Sequence, residues 1–159
     1  MADRVPMTIE GHQRLKDELK RLKETDRPSV IREIETARAH GDLSENAEYH
    51  AAKERQGFIE ARIRDVDHKL GNAEVIDTTK LSGERVVFGA RVRLADTDSG
   101  KEVVYRIVGV DQADLKNGLI SFSSPVARAI IGKTIGDVVT VHAPNGAREF
   151  EILDVSFDS

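Results

Sequence analysis

The sequence of 159 residues contains no cysteine and no tryptophan, and only seven of its residues are aromatic. The absence of cysteine excludes disulfides, thiolate metal sites and cysteine nucleophiles. No run approaches the roughly eighteen consecutive apolar residues of a membrane-spanning helix, and the first residues have no apolar segment typical of a signal peptide. We therefore expect a cytoplasmic protein that does not contact membranes and has a small hydrophobic core.

An excess of positive charge is also missing, because the net charge is −4 and neither half of the chain is basic. A free-standing nucleic-acid-binding domain usually carries such an excess. Any contact with nucleic acid must therefore be local or assisted by a partner. The length allows one ordinary domain or two small ones, which excludes a large multi-site enzyme.

Glycine and aromatic residues are scarce before residue 79 and concentrated after it, which predicts two domains over residues 1–78 and 79–159. Short runs rich in Val, Ile and Phe predict a mostly antiparallel sheet in the second half, with strands at residues 85–94, 101–108, 138–142 and 149–155. Between these runs, Ser124 and Pro125 are a typical helix start and Gly132 is a typical stop. The predicted fold class of this half is α+β, with one short helix packed on the sheet.

Apolar residues in the first half recur at the three- and four-residue steps of an α-helix. One stripe runs from Leu15 to Ala37, and Pro28 predicts a kink or register slip between residues 25 and 29. A second stripe runs from Ala52 to Ala73. Together the stripes predict an antiparallel two-helix coiled-coil hairpin, whose second helix over residues 45–74 would be roughly 45 Å long.

The connection between the two predicted helices, residues 41–49, is rich in acidic side chains. Asp42 and Glu45 have the spacing of a capping box, so a purely structural role is one interpretation. A hydrolytic triad of His40, Asp42 and Ser44 is a weak alternative, because triad members converge from separate segments. The third interpretation is half of a Mg²⁺ site, which a second molecule would complete.

Residues 38–49, Arg-Ala-His-Gly-Asp-Leu-Ser-Glu-Asn-Ala-Glu-Tyr, closely resemble the tip of the bacterial Gre transcript cleavage factors. This tip is the most specific part of the likeness. The likeness continues through five more segments and so covers the chain almost end to end, at residues 6–11, 72–77, 88–90, 105–109 and 124–133. The second half resembles the FKBP-like domain of that family.

The resemblance implies a transcription elongation factor that is not itself an enzyme. Its hairpin would enter the secondary channel of a backtracked RNA polymerase, and its second domain would dock on the channel rim of the largest subunit. Asp42 and Glu45 match the tip acids of the family, which help to hold a Mg²⁺ ion at the polymerase active centre. The polymerase then cleaves the 3′ end of the nascent RNA, and elongation resumes. The isolated protein is expected to be a monomer that binds no Mg²⁺ stably.

Basic side chains near the tip add a second implied contact. Arg38 and Arg55 correspond to the basic patch of the family, which contacts the displaced RNA. Lys53 and Arg32 are weaker candidates, and ordinary solvated charge is the alternative for all four. Tyr49 is equally compatible with packing across the hairpin and with a functional role.

Three other functions stay open at this point. The first is a channel-binding antagonist of polymerase with the same architecture, against which the presence of both Asp42 and Glu45 argues. The second is a peptidyl-prolyl isomerase or chaperone activity of the second domain, against which the scattered aromatic residues argue. The third is a plain coiled-coil dimer.

Overall fold

The computed structural model describes residues 4–41 and 45–157, which divide into two compact units. Residues 12–73 form a helical unit, whereas residues 4–11 join residues 74–157 in a sheet unit. The division therefore differs from the predicted one after residue 78, because the first described segment belongs with the second half of the chain. None of the described helices is long and apolar enough to cross a membrane.

The helical unit is the predicted hairpin, and two helical arms build it. Helix α1 (Ile9–Arg21), a π-helical turn (Leu22–Asp26) and helix α2 (Arg27–Arg38) form the first arm. Helix α3 (Ala47–Gly71) is the second arm and, at 25 residues, is roughly 37 Å long. The apolar stripes meet in a seam between the arms, whose buried side chains are Leu15, Leu22, Val30, Ile34, Ala37, Ala52, Ile63 and Val66.

The predicted interruption near Pro28 is the π-helical turn, in which the Arg27 N–H donates to the carbonyl oxygen of Leu22. Leu22 and Val30 are eight residues apart, almost one residue more than two α-helical turns, so a single wider turn brings both into the seam. The turn starts three residues earlier than predicted. Arg27 keeps helical dihedrals, with φ −61° and ψ −52°, because Pro28 lies in the first turn of α2, where proline is tolerated.

The sheet unit contains a mostly antiparallel sheet and one short helix, as predicted, but the sheet has five strands where four were predicted. The five strands are β3 (Arg91–Asp96), β4 (Glu102–Val108), β5 (Leu119–Ser121), β6 (Val138–Ala143) and β7 (Gly146–Ser156). Their order in the sheet is β5-β4-β3-β7-β6, and the β4–β5 pair is parallel. Helix α4 (Pro125–Ile130) begins at Ser124, whose hydroxyl accepts a hydrogen bond from Ala127 N at 3.3 Å.

Three strands were not predicted, and one was predicted too long. Strands β1 (Val5–Thr8) and β2 (Ala73–Ile76) form a separate two-stranded sheet, and β5 has only three residues. The strand predicted to start at residue 85 begins at Arg91 instead. Gly89 precedes it with a φ of +90°, a left-handed conformation that breaks an extended strand.

A hydrophobic core lies between the sheet and α4. Its fully buried side chains include Leu94, Ile107, Ile130 and Ile152. The aromatic residues of this half contribute to the core, as predicted: Phe150 is buried, and Phe88, Tyr105, Phe122 and Phe157 pack against it.

Strand β1 and the first turn of α1 are tied to the rest of the sheet unit by buried polar groups. The Thr8 hydroxyl donates to Gln112 Oε1, and it accepts a hydrogen bond from Gly11 N at 3.1 Å. Thr8 is fully buried, and Gln112 is nearly so. This arrangement satisfies a helix N-terminus and a buried amide together.

Candidate functional site

The candidate site is the tip of the hairpin, where α2 ends and α3 begins. The backbone N–H of His40 donates to Ala37 O at 3.1 Å, and that of Gly41 donates to Arg38 O at 3.3 Å. Gly41 has a φ of +109°, which glycine adopts without strain, so it ends the helical geometry as predicted. Asp42 lies outside the described residues.

Glu45 precedes the second arm and is exposed. Among residues 4–41 and 45–157, no hydrogen bond or ion pair engages its carboxylate. The predicted capping box is wrong, because α3 begins at Ala47 and its N-cap is Asn46. Glu45 therefore lies ahead of the helix, where a carboxylate can point toward a ligand without being needed for the cap.

Asn46 is a site residue that the sequence analysis missed. Its Oδ1 accepts a hydrogen bond from Tyr49 N at 3.0 Å, which caps α3. Its Nδ2 donates to Ala37 O at 2.7 Å, which joins the start of α3 to the last turn of α2. Asparagine is among the preferred N-cap residues, so the first of these bonds had a signal in the sequence. The second depends on how the two helices meet.

Two further contacts order the described part of the tip. His40 Nδ1 lies 3.1 Å from Glu48 Oε2, which links the end of α2 to the first turn of α3. Tyr49 is half-buried, and its ring meets His50 edge-on at a centroid distance of 5.6 Å. Glu48, unlike Glu45, is thus engaged by a partner.

The predicted basic residues have unequal surroundings. Both Nε and Nη2 of Arg55 donate to Glu33 Oε2, with the Nε bond at 3.1 Å, so this guanidinium is held across the hairpin. The Lys53 ammonium donates to Gln56 Oε1 at 3.0 Å. Arg38 and Arg32 are exposed, and neither side chain has a partner among the described residues.

A shallow groove of about 410 Å³ runs beside the tip between α2 and α3. It brings Arg32 and Arg55 together, whereas Arg38 is not among its lining residues. Buried Ala37 and Ala52 contribute its apolar surface. Its other lining residues are Ser29, Arg32, Glu33, Thr36, Glu48 and Arg55, so both signs of charge are present.

Ion pairs hold the two arms together farther from the tip. Arg62 donates to both carboxylate oxygens of Glu18 at 2.6 and 2.8 Å, and Arg27 donates to both oxygens of Glu60 at 2.8 Å. The hydrogen bond from Arg62 is the largest cause of the lowered pKa of Glu18. The hydrogen bond from Arg27 likewise lowers the pKa of Glu60. These two-point contacts restrict sliding of one arm along the other.

The described residues of the tip offer only part of what a Mg²⁺ site requires. Within residues 4–41 and 45–157, no three histidine or acidic side chains are grouped so that they could hold a metal ion. Glu45 nevertheless presents an exposed carboxylate, and carboxylates are the protein ligands that Mg²⁺ prefers. A single carboxylate of this kind can contribute to a Mg²⁺ site only when other molecules supply further oxygen ligands.

Comparison with known proteins gives matches to both halves of the chain. The family model described as "Transcription elongation factor, N-terminal" matches residues 5–75, and the model described as "Transcription elongation factor, GreA/GreB, C-term" matches residues 81–157. The transcription elongation factor GreA of Anaeromyxobacter sp. (strain K) is 61% identical over 154 residues, which are 97% of this chain and 93% of that protein. The GreA of Magnetococcus marinus is 57% identical over 157 residues, with coverage of 99% and 100%.

Among solved structures, the GreA factor homolog 1 (Gfh1) protein of Thermus thermophilus is 28% identical, with coverage of 96% of this chain and 99% of that chain. The TM-score of this pair is 0.44, which is too low to support a conclusion about architecture.

Proposed function

Because the chain belongs to the GreA/GreB family of transcription elongation factors, we propose that it stimulates a backtracked RNA polymerase to cleave the 3′ end of its nascent RNA. In this proposal the protein has no complete active site of its own. Its hairpin tip enters the secondary channel and brings acidic side chains to the polymerase active centre. The single observation that carries the proposal is the exposed carboxylate of Glu45 at the tip of a long helical hairpin.

Asp42 and Glu45 are the residues that would hold Mg²⁺, together with ligands from the polymerase. When bound, the ion would supply charge stabilisation and an activated water for phosphodiester hydrolysis. The protein's part is to deliver carboxylates on a narrow support. Helix α3, roughly 37 Å long, provides that reach, and the paired arms keep the support stiff.

The groove beside the tip supports a local contact with RNA, although the chain as a whole is acidic. Arg38 and Arg32 are exposed and have no partner among the described residues, so both can meet backbone phosphates, and Arg55 can do so once it leaves Glu33. Lys53 is a weaker contributor. We assign docking on the polymerase rim to the sheet unit. We propose that the protein acts as a monomer, and the burial of the apolar seam between the two arms of one chain supports this.

The test compares two neutral variants of the tip acids, Glu45→Gln and Asp42→Asn, with Glu48→Gln as the matched control. Each variant removes one negative charge, but Glu48 is already engaged by His40. Transcript cleavage is followed in a stalled, backtracked complex, and polymerase binding is measured in parallel. The tip variants should lose cleavage stimulation while binding stays within about twofold, and Glu48→Gln should retain both.

Full stimulation by Glu45→Gln and Asp42→Asn would overturn the proposed role of the tip acids. If the native protein instead binds the polymerase and slows elongation without any cleavage, the antagonist function is correct and the cleavage proposal fails.

A further inference from the structure

The side-chain amide of Asn46 connects the two arms at the base of the acidic tip. Its oxygen caps α3 through Tyr49 N, and its nitrogen reaches back nine residues to Ala37 O. The two bonds use opposite ends of one planar group. The position of the start of α3 is therefore set relative to the end of α2 by a single side chain, which is itself partly buried.

We propose that Asn46 is a positioning residue for Glu45, the described acid of the tip. This inference rests on the proposed function, because it concerns how the Glu45 carboxylate is presented for cleavage. Glu45 is peptide-bonded to Asn46, so a fixed Asn46 backbone restricts where the Glu45 carboxylate can lie. Asn46 contacts neither the RNA nor the metal in this account and acts only through its neighbour.

Positioning has a physical basis in the connection between residues 37 and 46. A connection between two helices can adopt many conformations when nothing else links its two ends. A hydrogen bond between the ends removes many of these conformations. An acid that must meet an ion in another protein benefits from such preorganisation. A displacement of about 1 Å at a reacting centre can reduce a rate by as much as a hundredfold.

The capping bond and the bridging bond can be separated by substitution. Asn46→Ser keeps a good N-cap, but a serine hydroxyl is too short to bridge to Ala37 O while it caps the helix. Asn46→Asp keeps the capping oxygen but places a carboxylate oxygen opposite Ala37 O. A carboxylate oxygen cannot donate, so the bridging bond is lost. A purely structural capping role predicts that both variants behave like the native protein.

A matched control is available at the other end of the same helix. Asn72 Nδ2 donates to His68 O at 2.9 Å, so Asn72→Ser removes the same kind of amide-to-carbonyl bond far along α3 from the tip. The Asn72→Ser variant therefore measures how far the loss of one amide-to-carbonyl hydrogen bond lowers the stability of the protein.

The experiment measures cleavage of backtracked RNA as a function of factor concentration, together with thermal unfolding of each variant. Asn46→Ser and Asn46→Asp should lower the cleavage rate at saturating factor roughly tenfold, while the half-saturating concentration stays within about twofold. Their thermal midpoints should fall no further than that of Asn72→Ser, which should cleave at the native rate.

A readout independent of activity tests the bridge itself. In the native protein the Asn46 side-chain amide protons should exchange slowly with solvent, and the Tyr49 backbone amide should be protected. In Asn46→Ser the Tyr49 amide should stay protected, because the cap remains.

Native cleavage rates for both Asn46 variants would overturn the inference and leave the proposed function intact. Equal rate losses in Asn46→Ser and Asn72→Ser would also overturn it, because general helix weakening would then suffice. Absence of cleavage stimulation by the native protein would instead refute the proposed function. In that case rapid exchange of the Asn46 side-chain amide would refute the bridge separately.

Discussion

Replacing Glu33 by glutamine should strengthen the contact between the hairpin and the displaced RNA. Glu33 holds the guanidinium of Arg55 through two donors to one carboxylate oxygen. A backbone phosphate can bind that guanidinium only after the pair opens, so Glu33 competes with RNA for Arg55. Glu33→Gln removes the competing charge and nearly preserves the size of the side chain.

The size of the effect follows from the exposure of the pair. The side chains of Arg55 and Glu33 are 54% and 46% exposed, so solvent screens their attraction. Exposed ion pairs typically contribute about 0.2–1 kcal/mol. Releasing Arg55 should therefore raise the affinity of the factor for the backtracked complex by about 1.4- to 5-fold, and added salt should reduce the gain.

The assay is the concentration of factor that gives half-maximal cleavage, measured at two salt concentrations. Glu35→Gln is the matched control, because Glu35 carries the same charge on the same helix but does not line the groove. Arg55→Gln in the Glu33→Gln background should abolish the gain. Two results would show that Glu33 does not compete with RNA for Arg55. One is an equal gain in affinity from Glu33→Gln and Glu35→Gln, and the other is a gain in affinity that persists after Arg55 is replaced.

Two further predictions concern stability. Gly11→Ala should lower the free energy of unfolding by about 1–3 kcal/mol, because its new Cβ would lie 2.9 Å from Gln112 Cγ and closer still to the buried amide. Gly57→Ala should raise the free energy of unfolding by about 0.5–1 kcal/mol, because nothing lies within 4 Å of the new Cβ. Denaturant titration measures both variants, and equal effects of the two substitutions would contradict the argument. The pKa values of Glu18 and Glu60 are lowered in the folded protein. Both ion pairs therefore stabilise the fold fully above the ordinary glutamate pKa of about 4.3. This stabilisation is lost as the pH falls through the lowered pKa values. The thermal midpoint should thus fall between pH 6 and pH 3 more steeply in the native protein than in Glu60→Gln, and parallel curves would show that the pair contributes nothing.

The hairpin was predictable because its signal is long and periodic. The stripe that ends in Val30, Ile34 and Ala37 is buried as its spacing indicates, and the eight-residue step from Leu22 already showed that the helix could not be regular there. The family resemblance, which is strongest at the tip, is confirmed by the matches to both family models.

Short strands with distant partners were not predictable in the same way. Strand β1 has four residues and includes a proline. Its partner is β2, which follows α3 in the chain. Strand β5 has three residues and pairs in parallel with β4, so no hairpin turn marks it. Local patterns contain no information about such partners.

The contacts at the tip were not predictable from the sequence. Glu45 is exposed, as an acid that binds an external ligand must be, but its functional role stays a prediction, like those of Asp42, Arg38 and Arg55. The engagement of Arg55 by Glu33 depends on the register of α2 against α3, which a stripe pattern does not specify. The bridge from Asn46 depends on the same register.

The most direct test of the account follows the length of end-labelled RNA in a backtracked polymerase complex after the native protein is added. The account predicts that the RNA loses its 3′ segment faster than in polymerase alone and that the shortened RNA is then extended. RNA that stays at its original length while the protein is bound would contradict the account.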